Sequence, residues 1–74
     1  MNVDKEILIF AFRYALGRKS TAVPIVAENL KRNWNKLSEF DKKQIKNEIK
    51  SAIKQNKAGM KMDVQIWTEI LNLK

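Results

Sequence analysis

An all-α fold of about four short helices is predicted by three features of this chain. Apolar side chains recur every three or four residues over most of its length, which is the spacing of helices with one buried side. Candidate capping residues, or residues that end helices, separate these periodic segments. The 74 residues, of which 45% are hydrophobic and 31% charged, suffice for one domain with one core. We therefore expect a single helical domain over residues 1–74, a compact bundle with helices at about 4–16, 22–34, 39–55 and 64–73.

The first predicted helix is apolar around most of its circumference. It begins at a cap, Asn2 or Asp4, and ends before Gly17, because glycine accepts the left-handed conformation that commonly follows a helix. At about 100° per residue, its apolar side chains cover roughly twice the arc of a normal surface helix. They are Ile7, Leu8, Phe10, Ala11, Phe12, Tyr14, Ala15 and Leu16. This pattern predicts either a central helix wrapped by the other three, or a helix whose residues 7–16 bind a second copy or another protein.

Capping patterns place the second and third helices. Ser20 or Thr21 opens the second helix, and Pro24 lies in its first turn, where a missing N–H leaves no backbone group unpaired. Ser38 and Asp41 resemble a capping box, with Asp in place of the usual Glu or Gln, so the third helix begins near residue 39. The apolar stripes of these two helices are Val23, Val26, Leu30 and Trp34, and Ile45, Ile49, Ala52 and Ile53.

The last segment carries two conflicting patterns. Gly59 ends the third segment, and Asp63 can cap a last helix with Trp67 on its apolar side. Between Met60 and Ile66, however, apolar and polar residues alternate, which is typical of a strand. A lone strand would leave its backbone groups unpaired. We therefore expect a helix here.

The excess positive charge lies in the middle of the chain. Lys and Arg number 15 against 8 Asp and Glu, a net charge of +7, and the excess falls between residues 18 and 62. Lysines recur at every fourth position of the third helix, and two more fall in the same sector: Lys42, Lys46, Lys50 and Lys54, then Lys43 and Lys57. Such a row predicts a solvated face, a contact with nucleic-acid phosphates, or a contact with an acidic protein surface. Because lysine is a point charge, a nucleic-acid contact would be to the backbone, with little sequence specificity.

Three further residues complete the candidate binding set. Arg18 and Lys19 add positive charge before the second helix. Phe40 lies nearly opposite the isoleucine stripe of the third helix. It either packs beneath the preceding loop against Trp34 or Leu37, or is an exposed aromatic anchor beside the basic face.

Composition argues against several classes of protein. The chain has no histidine and no cysteine, so it lacks the usual general base, the commonest metal ligand and any thiol. Its two glycines are too far apart for a phosphate-binding loop. We expect no enzyme activity, no cofactor and no metal. The longest apolar run, residues 7–12, is far short of a membrane span, and no secretion signal is evident, so we expect a cytoplasmic protein that does not enter membranes.

Parts of the sequence resemble small helical proteins encoded by bacteriophages and prophages. The most distinctive segment is Ala-Phe-Arg-Tyr-Ala-Leu-Gly-Arg at residues 11–18, followed by a Ser/Thr-rich turn and a Val-x-x-x-Leu-x-x-x-Trp helix. Leu-Ser at 37–38 and Asp-Val-Gln-Ile-Trp at 63–67 are also similar. The resemblance extends from about residue 7 to residue 71 and carries over no catalytic or ligand residues. It implies a protein that inhibits or modulates host machinery, as anti-CRISPR proteins do.

These observations lead to one functional prediction and two alternatives. We expect a non-enzymatic phage-type inhibitor or modulator that occludes a host nuclease or nucleoprotein complex in the bacterial cytoplasm. Since the net charge is +7, it cannot imitate DNA with an acidic surface. The first alternative is an accessory protein whose lysine-rich helix contacts the RNA or DNA backbone. The second is a small structural homodimer. The second and third helices also allow a helix-turn-helix, although their connection at 33–37 lacks the turn glycine often found there.

Overall fold

Four helices account for most of the protein in a computed structural model that describes residues 5–16 and 21–74. The order is α1 (Lys5–Ala15), α2 (Ala22–Asn33), α3 (Glu39–Lys54) and α4 (Lys61–Leu71), with a 3₁₀ turn (Trp34–Lys36) between α2 and α3. No strand occurs among the described residues, so the all-α prediction is confirmed. The predicted caps at Asn2 or Asp4, Gly17 and Ser20 lie outside the described residues.

The ends of α3 show why this helix forms where it does. At its start the Ser38 hydroxyl accepts a hydrogen bond from the Asp41 backbone N–H at 3.1 Å, which confirms the predicted cap. At its end Asn56 adopts a left-handed backbone, with φ of 58°. The backbone N–H of Lys57 donates to the Ala52 carbonyl and that of Asn56 to the Ile53 carbonyl, at 2.7 and 3.1 Å. This pair of bonds is a Schellman motif, and it satisfies carbonyls that the helix itself leaves open.

The start of α4 differs from the prediction. The helix begins at Lys61 rather than near residue 64, so Asp63 lies inside its first turn and is not the cap. The Asp63 carboxylate instead accepts a hydrogen bond from the Met60 backbone N–H at 3.1 Å. The period-two segment is therefore helical from Lys61 onward, as expected, with Met60 in the extended position just before the helix. The predicted start is three residues late because Asp63 was taken as the cap that precedes the helix. It is instead the third residue of the helix, and its side chain bonds back to the backbone of the capping residue.

One core joins all four helices. α2 packs against both α1 and α4, and α3 packs against α4. The Phe12 ring of α1 meets the Trp67 ring of α4 edge to face, with centroids 5.5 Å apart, and both side chains are fully buried. The other buried residues are Leu8, Ala15, Val23, Val26, Ala27, Leu30, Trp34, Leu37, Ile45, Ile49, Ala58 and Ile70. Within the described residues, no helix has the length and apolar character needed to cross a membrane.

Candidate interaction surfaces

The two sides of α1 have opposite environments. Leu8, Phe12 and Ala15 point into the core, whereas Ile7, Phe10 and Tyr14 are 64%, 71% and 55% exposed. We call the latter three residues the α1 stripe; they recur at i, i+3 and i+7 and therefore lie along one line of the helix. The interpretation of the first helix as a central helix is wrong, because its neighbours cover only one side of it.

Ion pairs help to fix the orientation of α1. The Lys5 ammonium lies 3.2 Å from the Asp41 carboxylate, and the Arg13 guanidinium lies 3.1 Å from the Glu48 carboxylate. Both pairs run from α1 to α3, beside the α1 stripe and not across it. Partly exposed pairs of this kind contribute about 1 kcal/mol or less each. The burial of Leu8, Phe12 and Ala15 is therefore the main constraint on α1, and the two ion pairs add to it.

The lysines of α3 divide into two groups. Lys42 and Lys46 turn toward the buried Trp34, with their ammonium groups 6.0 and 5.8 Å from its ring centroid. Lys42 also lies 3.5 Å from the Glu39 carboxylate, and the Lys46 ammonium donates to the Leu73 carbonyl. The reason is geometric: a step of four residues rotates by about 400°, so a row at i+4 drifts around the helix by about 40° per step. The predicted row therefore spans two environments.

The second group of lysines faces solvent. Lys43, Lys50 and Lys54 are separated by seven and four residues, which places them within about 40° of one another on a helical wheel. All three are exposed, on the side of α3 away from Ile45 and Ile49, and none forms an ion pair with a described carboxylate.

Phe40 shares this solvent-facing side at the N-terminal end of α3. It is 72% exposed, so the interpretation that it packs beneath the loop is wrong. Trp34 and Leu37 are nevertheless buried, with exposures of 4% and 6%, so their burial does not depend on the Phe40 ring. We define the α3 strip as the exposed residues Phe40, Lys43, Asn47, Lys50 and Lys54.

The carboxylates of the described chain are engaged mostly away from the α3 strip. Five of them pair with cations: Glu28, Glu39, Asp41, Glu48 and Glu69. Of these, Glu39 lies 3.5 Å from the Lys42 ammonium and lines one surface hollow with Lys43, Asn47 and Lys50 of the strip. The remaining predicted cations are not part of the strip: Lys57 follows the helix and is exposed, and Arg18 and Lys19 lie outside the described residues. The strip therefore keeps most of its positive charge.

An apolar hollow that the sequence did not predict lies between the N-terminal ends of α2 and α4. It has a volume of about 480 Å³ and is lined by Thr21 and Pro24 on one side and by Met60, Met62 and Ile66 on the other. The sequence feature that could have predicted this hollow is the alternation of apolar and polar residues between positions 60 and 66. In a helix, this alternation leaves Met60 and Met62 outside the buried side, with exposures of 60% and 74%.

The acidic side chains of the described residues are dispersed. Among these residues, no three Asp or Glu side chains come together as a metal site would require. The pKa of Asp41 is lowered from its ordinary 3.8, chiefly by a side-chain hydrogen bond with Ser38 and also by the nearby Lys5, against a smaller opposing effect of partial burial. The lowered pKa of Asp41 is therefore explained by its place at the capped N-terminus of α3.

Comparison with known proteins adds no relationship. No family model matches the chain, and neither curated proteins nor solved structures give a match. The α1 stripe and the α3 strip are therefore interpreted from their own chemistry.

Proposed function

We propose that this is a non-enzymatic, phage-type binding protein that inhibits or modulates a host nuclease or related nucleoprotein complex by occluding it. The observation that carries the proposal is the α1 stripe. Ile7, Phe10 and Tyr14 take no part in the core and lie on one line of a helix that its buried side and two ion pairs hold in place. A row of large apolar side chains at helical spacing is the form in which a helix offers anchors to a protein surface.

A partner other than a second copy fits this surface better. With about 200 Å² of surface for each large side chain, the exposed fractions of 64%, 71% and 55% amount to roughly 400 Å². A stable dimer buries about 800 Å² on each subunit, so the stripe alone supplies only half of what a homodimer needs. Two copies would also each bring a net charge of +7. A partner that is acidic, or that carries nucleic acid, avoids this repulsion.

The position of the α3 strip favours a nucleoprotein target. The same small domain offers apolar anchors on α1 and exposed lysines on α3, and these are the two kinds of contact that a protein–nucleic-acid complex can receive. Bound across such a complex, the protein would exclude substrate by its volume, with no catalytic group required. The α3 strip also supports the alternative function, an accessory protein that binds nucleic acid by itself, but the α1 stripe does not.

Capture from host lysate with matched variants tests the proposal. The immobilised protein is incubated with bacterial lysate, with and without nuclease treatment, and compared with Ile7→Asp and Ile25→Asp. Ile25 is the control because it is 63% exposed, against 64% for Ile7, and lies on α2 facing away from the core. We expect Ile7→Asp to lose the captured complex, Ile25→Asp to retain it, and the wild-type protein to reduce the nuclease activity of the purified complex.

Three results would count against the proposal. Equal capture by Ile7→Asp and wild type would remove the role of the α1 stripe. Loss of all capture after nuclease treatment, with no effect of Ile7→Asp, would favour the nucleic-acid-binding accessory protein. A captured complex whose activity is unchanged at saturating protein would exclude inhibition.

A further inference from the structure

We propose that the α3 strip binds single-stranded nucleic acid, with Phe40 stacked on an unpaired base and Lys43, Lys50 and Lys54 contacting the phosphates that follow it. This inference rests on the proposed function in one respect, since it names the nucleic-acid class that the strip would meet in the target. The binding itself requires only the chain as it stands.

The geometry of the strip carries the first part of the inference. On an ideal helix Phe40 lies about 60° from Lys43 and about 80° from Lys50, so the ring and the ammonium groups occupy one exposed sector. At about 1.5 Å per residue, Phe40 lies about 5 Å along the axis from Lys43, and Lys54 lies about 17 Å beyond Lys43. An aromatic ring at one end of a line of cations is the arrangement by which proteins bind single strands, with stacking at the base and electrostatic attraction along the backbone.

The chemistry of the side chains favours a single strand over a duplex. Lysine supplies point charges that match phosphates, whereas bidentate reading of base edges in a duplex uses arginine. The arginines that the structure describes, Arg13 and Arg32, are paired with Glu48 and Glu28 and lie off the strip. In a duplex the faces of the bases are already stacked, so a phenylalanine gains nothing from them. An unpaired base offers a free face to any aromatic ring, with little dependence on sequence.

Within the described part of the folded chain, the Phe40 side chain has no structural role that would account for an aromatic residue at this position. The ring is 72% exposed, beside a helix cap formed by Ser38 and the Asp41 backbone. The cap needs neither an aromatic nor an apolar residue at this position. Stacking on a base would cover the ring without removing any contact that the folded chain uses.

Fluorescence anisotropy with labelled oligonucleotides tests the inference. The probes are a 20-nucleotide poly(dT), a poly(U) of the same length, and a DNA duplex of equal length, each at two salt concentrations. The variants are Phe40→Ala, the triple change Lys43→Glu, Lys50→Glu and Lys54→Glu, and Ile25→Ala as the matched control. Ile25 is an exposed apolar residue, 63% against 72% for Phe40, on α2, and it belongs to neither the α1 stripe nor the α3 strip.

We expect tighter binding to single strands than to the duplex. Phe40→Ala should weaken single-strand binding roughly 5- to 150-fold, the range for loss of one base stack, while Ile25→Ala leaves it unchanged. The triple change should abolish binding. For the wild type, log K should fall with log salt with a slope of about −2, because each of three neutralised phosphates of a single strand contributes about −0.7.

Other outcomes would overturn the inference. Equal affinity for duplex and single strand, with no effect of Phe40→Ala, would leave only nonspecific attraction to phosphates. Absence of nucleic-acid binding at low salt, with Phe40→Ala impairing capture of a protein, would make Phe40 a protein anchor. Either result leaves the proposed function standing if capture still depends on Ile7. Conversely, single-strand binding that depends on Phe40 would survive the loss of that function.

Discussion

Two phenylalanines two residues apart on α1 should respond to truncation in opposite ways. Phe12 is fully buried and packs edge to face on Trp67, whereas Phe10 is 71% exposed. Replacing a buried phenylalanine by alanine costs about 3–5 kcal/mol, through lost burial and the cavity that remains. A 74-residue domain is stable by about 4–11 kcal/mol in total. Phe12→Ala should therefore remove at least about a quarter of the free energy of unfolding, and most of it if the domain is marginally stable.

Phe10→Ala should change the free energy of unfolding by about 0.5 kcal/mol or less, as is usual for exposed positions. Urea unfolding at neutral pH, followed by far-ultraviolet circular dichroism and by tryptophan fluorescence, measures both variants. Fluorescence is informative because Trp67 contacts Phe12 directly. A difference between the two variants smaller than about 1 kcal/mol would refute the assignment of the two sides of α1, as would a loss above about 2 kcal/mol for Phe10→Ala.

Three further predictions concern the helix ends. Ser38→Ala should lower the free energy of unfolding by about 0.5–2 kcal/mol through loss of the α3 cap, measured by urea unfolding; no loss would contradict the capping role. Because folding lowers the pKa of Asp41 below its ordinary 3.8, the unfolded chain binds its proton first as the pH falls. The stabilisation that the Asp41 carboxylate contributes is complete at neutral pH and should be lost as the pH falls from 3.8 through the lowered pKa. Ser38→Ala should move this loss to higher pH in acid titrations. Gly59→Ala should lower the free energy of unfolding by about 1–3 kcal/mol. Its φ is +92°, and the new Cβ would lie 2.5 Å from the Asp63 carboxylate that accepts a hydrogen bond at the start of α4. An unchanged melting temperature would contradict this prediction.

The helices were predictable because their signals are local. Ser38 and Asp41 are three residues apart and mark the start of α3 by their chemistry alone, and the isoleucines that follow repeat at helical spacing. Asn56 was missed as the residue that ends α3, because Gly59 is the stronger signal for a left-handed backbone and both residues adopt it. The early start of α4 was missed because an acidic residue can serve a helix N-terminus from before it or from within it.

The surfaces were less predictable, since exposure depends on which helices meet. A wheel drawn for α1 alone shows apolar residues on nearly every side, and only the packing of α2 and α4 reveals that Phe12 is covered and Phe10 is not. The same limit applies to the lysine row. Spacing placed Lys42 and Lys46 with the exposed lysines. They do line a hollow beside Lys43 and Lys50, but their ammonium groups also approach the Trp34 ring, which the spacing alone does not show.

The proposed function requires that no second copy of the chain covers the α1 stripe in the isolated protein. Size-exclusion chromatography with multi-angle light scattering, at high protein concentration, tests it most directly. A mass of 8.7 kDa for both wild type and Phe10→Asp is the predicted result. A wild-type mass twice that value, restored to 8.7 kDa by Phe10→Asp, would show that a second copy covers the stripe and would contradict the proposal.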